Sequence, residues 1–164
     1  MVDAEPIDQV GLIAGNGKFP LLFAQAAQKQ GLRVVAAAVR GDTSFLIHFL
    51  VKQVRWFSPG ELQSLFEYFR SQGVKKILMA GQVHPRNLFA KDVAMDEEFR
   101  ELFQAMADRR CDTIFGAVAD RLKKEGLELL DSTFLLKDHL APKGTLTRRA
   151  PTEMQLKDIQ FGIG

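Results

Sequence analysis

The chain has 164 residues, of which 46% are hydrophobic and 26% charged, with a formal net charge of +2 from 22 basic and 20 acidic residues. This length suits one domain with its own core, and the composition excludes disordered and fibrous proteins. Because the charges are scattered, the sequence argues against nucleic-acid binding. The single cysteine, Cys111, excludes an internal disulfide. With no secretory signal and no apolar run of the ~20 residues that span a bilayer, the sequence predicts a soluble, cytoplasmic protein.

The first half of the chain alternates buried strands with helices. Residues 10–14 and 34–39 are apolar or glycine at every position, which is typical of parallel strands covered on both faces. A helix is predicted between them, with Pro20 near its first turn and Gly31 past its end. These lengths predict a right-handed βαβ unit and therefore an α/β fold.

The same alternation continues along the chain. A strand at 51–57 precedes a helix that Ser58 caps, with Pro59 at its start and Glu61 as the capping-box acid. The further predicted elements are a strand at 76–80, helices at 96–107 and 112–124, a strand at 127–130, a short helix from Ser132 to His139, a polar linker, and a helix from Thr152 to Phe161.

A glycine turn, Gly15-Asn16-Gly17-Lys18, follows the first strand directly. In an open α/β sheet the loop after a central strand lies at the carboxyl edge, where helix amides attract phosphate. The glycines permit close approach of a ligand, and Lys18 adds positive charge. The sequence therefore predicts a phosphate-bearing ligand here, although the loop can also be a tight strand-to-helix turn and nothing more.

Two common phosphate motifs do not match this turn. A Walker A loop would need glycine at Leu12 and a hydroxyl at Phe19. A dinucleotide fingerprint would need a third glycine at Pro20 and an acid where Arg40 follows the second strand. NAD is therefore disfavoured, while Arg40 leaves an NADP oxidoreductase as an alternative.

The segment "MAGQVHPRNLF" repeats the design of an apolar strand broken by glycine, at Gly81. Gln82, His84 and Arg86 follow, and the two strand edges can flank one crevice. His84 and Arg86 can bind phosphate or carboxylate, with His84 a candidate general base, or they are simply solvated.

Other candidate residues lie outside these two edges. Asp112 is either a helix N-cap or a ligand for metal or ribose, and Cys111 is a packing residue because no histidine partner is identifiable. No carboxylate pair, catalytic triad or metal cluster assembles from the sequence. The segment "TSFLIHFLVKQVRWF" is either core or an apolar surface for acyl chains or a membrane.

Three stretches together resemble the N-terminal half of the LpxI family: "GLIAGNGKFPLLFAQAAQKQG", "VKKILMAGQVHPRNLF" and "CDTIFGAVADRLKKEGLELLDSTFLLKDHLAPKGTLTRRAPTEMQLKDIQFG". Members of that family are UDP-2,3-diacylglucosamine pyrophosphatases of lipid A biosynthesis. Where they often carry Gly-Asp-Asp, this chain has Arg110-Cys111-Asp112, so only Asp112 carries over. The resemblance implies a Rossmann-like domain at 1–140, an open and mostly parallel sheet with helices on both faces, and at 141–164 a linker and the start of a missing catalytic domain.

The resemblance also implies a reaction and its site. The expected hydrolysis of UDP-2,3-diacylglucosamine gives UMP and lipid X, with a divalent metal, Mg²⁺, assisting. The family's catalytic aspartate lies in the C-terminal domain, so this chain is expected to hold no catalytic residue and to be inactive alone. Substrate-binding residues are expected at Gly15, Asn16, Gly17, Lys18, Phe19, Gly81, Gln82, Arg86 and Asp112.

The expected partners include the inner membrane, as a peripheral contact, and a second copy of the chain, as a homodimer. The alternative from another class is a non-catalytic nucleotide-binding or oligomerisation module.

Overall fold

The computed structural model of the protein describes residues 7–88, 95–105 and 111–163. Its strands are β1 (Gln9–Ala14), β2 (Arg33–Val39), β3 (Gln53–Phe57), β4 (Lys76–Ala80) and β5 (Glu128–Leu129). Its α-helices are α1 (Phe19–Lys29), α2 (Leu62–Ser71), α3 (Pro85–Leu88), α4 (Glu97–Ala105), α5 (Cys111–Lys124) and α6 (Glu153–Ile163). Short 3₁₀ helices cover Phe45–Phe49 and Lys137–His139.

The five strands form one parallel sheet that grows outward from β1 in both directions. Its order is β3-β2-β1-β4-β5, and every neighbouring pair is parallel. The strand order reverses between β1 and β4, which is where an open α/β sheet forms a crevice at the carboxyl ends of its strands. The predicted Rossmann-like α/β fold is confirmed.

Each face of the sheet carries its own hydrophobic core. Because successive strand residues point to opposite faces, Val35 and Ala37 pack with side chains of α2, α4 and α5, while Val34 and Ala36 pack with α1 and the first 3₁₀ helix. The unbroken apolar run of β2 is therefore buried on both sides, as the sequence predicted.

The start of α2 differs from the prediction. The helix begins at Leu62, whereas Pro59 was expected at its start. Residues 58–61 form a turn in which the Glu61 amide donates to the Ser58 carbonyl at 3.0 Å, and the Glu61 carboxylate accepts from the Ser58 amide. The acid reaches back as in a capping box, but it closes the turn that precedes the helix.

Two other local predictions need correction: the third strand is present but starts later than expected, and the helix from Ser132 is absent. The strand expected at 51–57 begins at Gln53, after an unpredicted 3₁₀ helix that Ser44 caps by accepting from the Leu46 amide. The helix expected from Ser132 is a turn, because the Asp131 carboxylate accepts from the Thr133 amide at 2.7 Å and helical structure appears only at residues 137–139.

The C-terminal segment differs in burial from the rest of the described chain. Residues 141–163 are exposed apart from the half-buried Pro151. The predicted cap of α6 is present: Thr152 Oγ1 accepts from the Gln155 amide at 3.4 Å, and Gln155 Oε1 accepts from the Thr152 amide at 2.9 Å. Across the described residues, no helix has both the length and the apolar character needed to cross a membrane.

Candidate functional site

Three loops meet at the carboxyl edge of the sheet around its switch point. We call them the β1 loop (15–18), the β2 loop (40–44) and the β4 loop (81–84), after the strands that they follow. β1 lies between β2 and β4, so the β1 loop is central. Both glycine-broken strand ends singled out in the sequence are therefore neighbours in space.

The β1 and β4 loops are joined by direct backbone contact. Asn16 and Gln82 form an isolated antiparallel bridge, in which the Asn16 amide donates to Gln82 O at 2.7 Å and the Gln82 amide donates to Asn16 O at 3.2 Å. A Cβ at Gly15 would lie 2.6 Å from Gln82 O, and a Cβ at Gly81 would clash with Asn16 O. Glycine is needed at both positions because the two backbones touch there.

This contact corrects one expectation about the glycine turn. The Gly15 amide donates to Ala80 O at 2.8 Å and the Asn16 amide donates to Gln82 O, so neither is free for an anion. Among the described residues, no backbone oxygen accepts from the amides of Gly17 or Lys18. Gly17 has a φ of +97° and open space where a Cβ would stand. Any cradle for phosphate therefore begins at Gly17.

The β2 loop is fastened to the end of β1 by a buried hydroxyl. Thr43 Oγ1 donates to the Ala14 carbonyl and accepts from the Val39 amide at 2.8 Å. Both Thr43 and its neighbour Asp42 are buried, at 8% and 6% exposure. Neither residue was predicted as part of the site; the local signal is the polar run Asp42-Thr43-Ser44, which follows the buried strand after Arg40 and Gly41.

Asp42 pairs with His84 across the β2 and β4 loops. Asp42 Oδ1 lies 2.7 Å from His84 Nδ1 and accepts from the His84 amide at 3.3 Å. The Asp42 side chain is fully buried, while that of His84 is 40% exposed. His84 was considered from the sequence as a lone loop histidine, and the structure gives it a carboxylate partner.

The remaining predicted site residues are spread around this edge. Lys18 is exposed, Phe19 is half-buried as the first residue of α1, and Gln82 and Arg86 are exposed. Asp112 is the second residue of α5, and its side chain lies outside the described part. Arg40, the residue that raised NADP, is exposed at the end of β2.

A small apolar cavity lies on the α2 face, behind the same edge. Its volume is about 80 Å³, and its lining includes Ile13, Val39 and Met79 from the strands and Phe99 and Ile114 from the helices. Ligand pockets generally enclose at least ~300 Å³. The cavity is therefore too small for a fatty acyl chain as it stands.

The part of the chain that the structure describes contains no group of three or more His, Cys, Asp or Glu side chains that could hold a metal ion. Asp42 and His84 are two potential ligands without a third. The described residues thus do not by themselves form a site for a divalent metal.

Comparison with known proteins places the chain in a family. The model of the LpxI N-terminal domain matches residues 9–139. Two solved structures of pyruvate carboxylase from Rhizobium etli are similar in fold: the T882A variant with the allosteric activator acetyl coenzyme A, at 12% identity, TM-score 0.47 and 79% coverage of this chain, and the complete multifunctional enzyme, at 14%, 0.46 and 84%. This chain covers 12% of the length of each. No curated protein matches it. From the family match, the chain belongs to the LpxI family, and its role is related to lipid A biosynthesis.

Proposed function

We propose that this chain is the nucleotide-phosphate-binding part of a UDP-2,3-diacylglucosamine pyrophosphatase, a hydrolase that forms UMP and lipid X. The observation that carries the proposal is the contact between the β1 and β4 loops at the switch point of the sheet. Ligands of open α/β sheets bind at that position. Family membership supplies the substrate class.

The residues around the two loops suit a pyrophosphate group. Gly17 and Lys18 offer amides that no backbone oxygen of the described residues accepts from, next to the start of α1, where the helix dipole favours negative charge. Lys18, at the end of the β1 loop, and Arg86, in α3 after the β4 loop, are exposed cations, and the bridge residues Asn16 and Gln82 are also exposed. Pyrophosphate hydrolysis needs this kind of charge neutralisation, because charge builds on the leaving phosphate.

The chain's part in this proposal is to bind and orient the substrate. We assign no catalytic residue to it, and the division into a domain at 1–140 and a linker with the start of a catalytic domain at 141–164 stays a prediction. The divalent metal, Mg²⁺ by family resemblance, is likewise a proposal without ligands among the described residues, and Asp112 keeps its proposed contact with substrate. Release of UMP from UDP-2,3-diacylglucosamine by this 164-residue chain with Mg²⁺ would contradict this division of labour.

A nucleotide titration tests the binding role. UDP-N-acetylglucosamine, a water-soluble UDP-sugar, is added to ¹⁵N-labelled protein, and the amide signals of Gly17, Lys18 and Gln82 are expected to shift together. Lys18→Gln should weaken binding roughly tenfold, because a hydrogen bond to a charged group contributes ~1.5–3 kcal/mol. Lys29→Gln, at the other end of α1, is the matched control and should bind as the wild type does. If neither loop responds, the proposed function is wrong.

The same titration addresses the alternatives. Binding without turnover fits both the substrate-binding part of an enzyme and a non-catalytic nucleotide-binding module, and restoration of hydrolysis by a C-terminal domain of an LpxI relative separates the two. Sedimentation velocity tests the proposed homodimer. NADPH that binds with a change in fluorescence would favour the oxidoreductase alternative raised by Arg40.

We also propose that the lipid part of the substrate brings the protein to an anionic membrane surface, from its cytoplasmic side. Phe45, Leu46 and Phe49, on one 3₁₀ helix, are 75%, 55% and 83% exposed, so this part of the phenylalanine-rich segment is not core. No acidic residue stands between Asp42 and Glu61, whereas three basic residues do: His48, Lys52 and Arg55. Exposed large apolar side chains in a segment that carries no acidic residue favour interfacial contact with anionic lipid.

Vesicle sedimentation tests the membrane contact. The protein should sediment with vesicles that contain phosphatidylglycerol and much less with pure phosphatidylcholine. The double variant Phe45→Ser and Phe49→Ser should lose the interaction. Phe161→Ser, which alters a phenylalanine on α6 that is 91% exposed, is the matched control. Equal loss in the control, or no sedimentation of the wild type, would remove the proposal.

A further inference from the structure

Asp42 and His84 form a pair at the same edge of the sheet, separate from the amides of Gly17 and Lys18 and from the exposed cations. The Asp42 side chain is fully buried, and none of the described residues donates a hydrogen bond to its Oδ2. Its Oδ1 receives both the amide and the ring Nδ1 of His84. A buried carboxylate is costly in free energy unless it is compensated, so a single cationic or hydrogen-bonding partner matters greatly to it.

This geometry assigns different roles to the two ring nitrogens of His84. An ionised carboxylate only accepts hydrogen bonds, so the nitrogen 2.7 Å from it must carry a proton. Nδ1 then stays protonated whether the ring is neutral or cationic, and the proton that the ring gains or loses is the one on Nε2. The ring is 40% exposed, so that exchangeable position remains accessible.

We propose that His84 is a proton-linked phosphate ligand of this site and that Asp42 is its positioning residue. When a phosphate-bearing ligand binds, a proton from solvent is taken up at Nε2, and Nε2–H donates to a phosphoryl oxygen. No covalent bond forms or breaks. The nature of the ligand rests on the proposed function, whereas the state of the ring does not.

The charges around His84 favour this linkage. Lys18, Arg40 and Arg86 are exposed cations of the β1 loop, the β2 loop and α3, the segments that meet at this edge, and Asp42 holds the ring through Nδ1. A bound phosphate neutralises those cations and adds negative charge beside Nε2. Ligand binding and proton uptake therefore assist each other.

The tautomer of His84 is the first test, because it needs no ligand. Long-range ¹H–¹⁵N spectra of the three histidines should show neutral His84 protonated at Nδ1, the less common form in water. His48, whose Nε2 accepts from Trp56 Nε1 at 3.0 Å, should share that form, and the exposed His139 should show the ordinary Nε2–H form. Asp42→Asn should move His84 toward Nε2–H. A wild-type His84 in the Nε2–H form would overturn the proposal whatever the chain binds.

Proton uptake on binding is the second test. UDP-N-acetylglucosamine suits it, because its pyrophosphate diester has no group that titrates near neutral pH. Calorimetry at one pH in buffers of different ionisation enthalpy should show proton uptake by the wild type and by His139→Gln. Uptake should vanish in His84→Gln, with roughly tenfold weaker binding, and should fall in Asp42→Asn. Binding without proton uptake overturns this proposal and leaves the proposed function standing; no binding, with unmoved loop amides, ends both.

Discussion

Replacement of Gly15 by alanine tests whether the carboxyl edge is closed by direct contact between the β1 and β4 loops. The new Cβ would lie 2.6 Å from Gln82 O and 2.9 Å from both Gln82 C and Gln82 N. All three are backbone atoms, so no side-chain rotation can relieve the overlap. The loops must move apart, which strains the two hydrogen bonds between Asn16 and Gln82 at 2.7 and 3.2 Å.

The expected cost follows from those contacts. Overpacking of a tight site costs ~1–3 kcal/mol, and each strained hydrogen bond contributes ~1 kcal/mol. We therefore expect Gly15→Ala to lower the free energy of unfolding by roughly 2–4 kcal/mol. Urea unfolding should show a lower midpoint with an unchanged slope, and Tm should fall by roughly 2–4 °C for each kcal/mol in a chain of this length.

Two other glycines separate overlap from backbone strain. Gly17 has a φ of +97° with nothing within 4 Å of a Cβ, so Gly17→Ala carries only the left-handed backbone term of ~1–2 kcal/mol. Gly81 has a φ of +85° and a clash with Asn16 O, so Gly81→Ala carries both terms. The expected order of destabilisation is Gly81, then Gly15, then Gly17. A Gly15→Ala variant no less stable than Gly17→Ala would refute the reasoning.

Three further predictions concern single side chains. Thr43→Val should lower the free energy of unfolding, measured by urea unfolding, by ~2–3 kcal/mol, because the Ala14 carbonyl and the Val39 amide lose their hydroxyl partner. Thr43→Ser keeps the hydroxyl and should retain most of the wild-type stability. Gly116→Ala should raise it by ~0.5–1 kcal/mol, because Gly116 lies inside α5, is exposed and has open space at its Cβ; no gain would contradict this. Burial raises the pKa of Tyr68, the single tyrosine, above 10.0, and Arg55 lowers that pKa to a smaller extent. The neutral Tyr68 therefore contributes to the free energy of unfolding in full below pH 10, and that contribution is lost as the pH rises through the pKa of the folded protein. Absorbance of tyrosinate should follow that titration, with Arg55→Gln moving it higher; titration below 10 would contradict it.

The sheet could be predicted because burial on both faces leaves a local mark. Residues 10–14 and 34–39 carry apolar side chains or glycine at successive positions, and the strands form there. The segment at 43–52 has no such mark: within the first 3₁₀ helix Ile47 is buried, whereas Phe45 and Phe49 are exposed. A hydrophobic residue exposed for reasons outside the domain cannot be told from a core residue by type.

The candidate site could be predicted only in part, for a reason of the same kind. Glycine after a buried strand marks the two loops, because close backbone approach has few other solutions. The sequence does not show which amides of the loop are free to bind a ligand. The amides of Gly15 and Asn16 donate to the carbonyls of Ala80 and Gln82, which lie more than sixty residues away in sequence. No local pattern carries that information.

Asp42 shows most clearly what a sequence cannot express about such a site. Between Gly41 and Thr43 it has the composition of a solvated turn, where aspartate is common. Its burial arises because the β2 loop packs against the region after β4: a Cβ at Gly41 would lie 3.2 Å from Asn87 Nδ2, and His84 covers the carboxylate. A loop histidine that faces such a carboxylate is fixed by a hydrogen bond, whereas one without a partner is solvated. The chemistry available at this edge therefore depends on tertiary contact between the β2 and β4 loops. A variant that opens that contact, such as Gly41→Val, should change the surroundings of the His84 ring and leave the strands of the sheet in place.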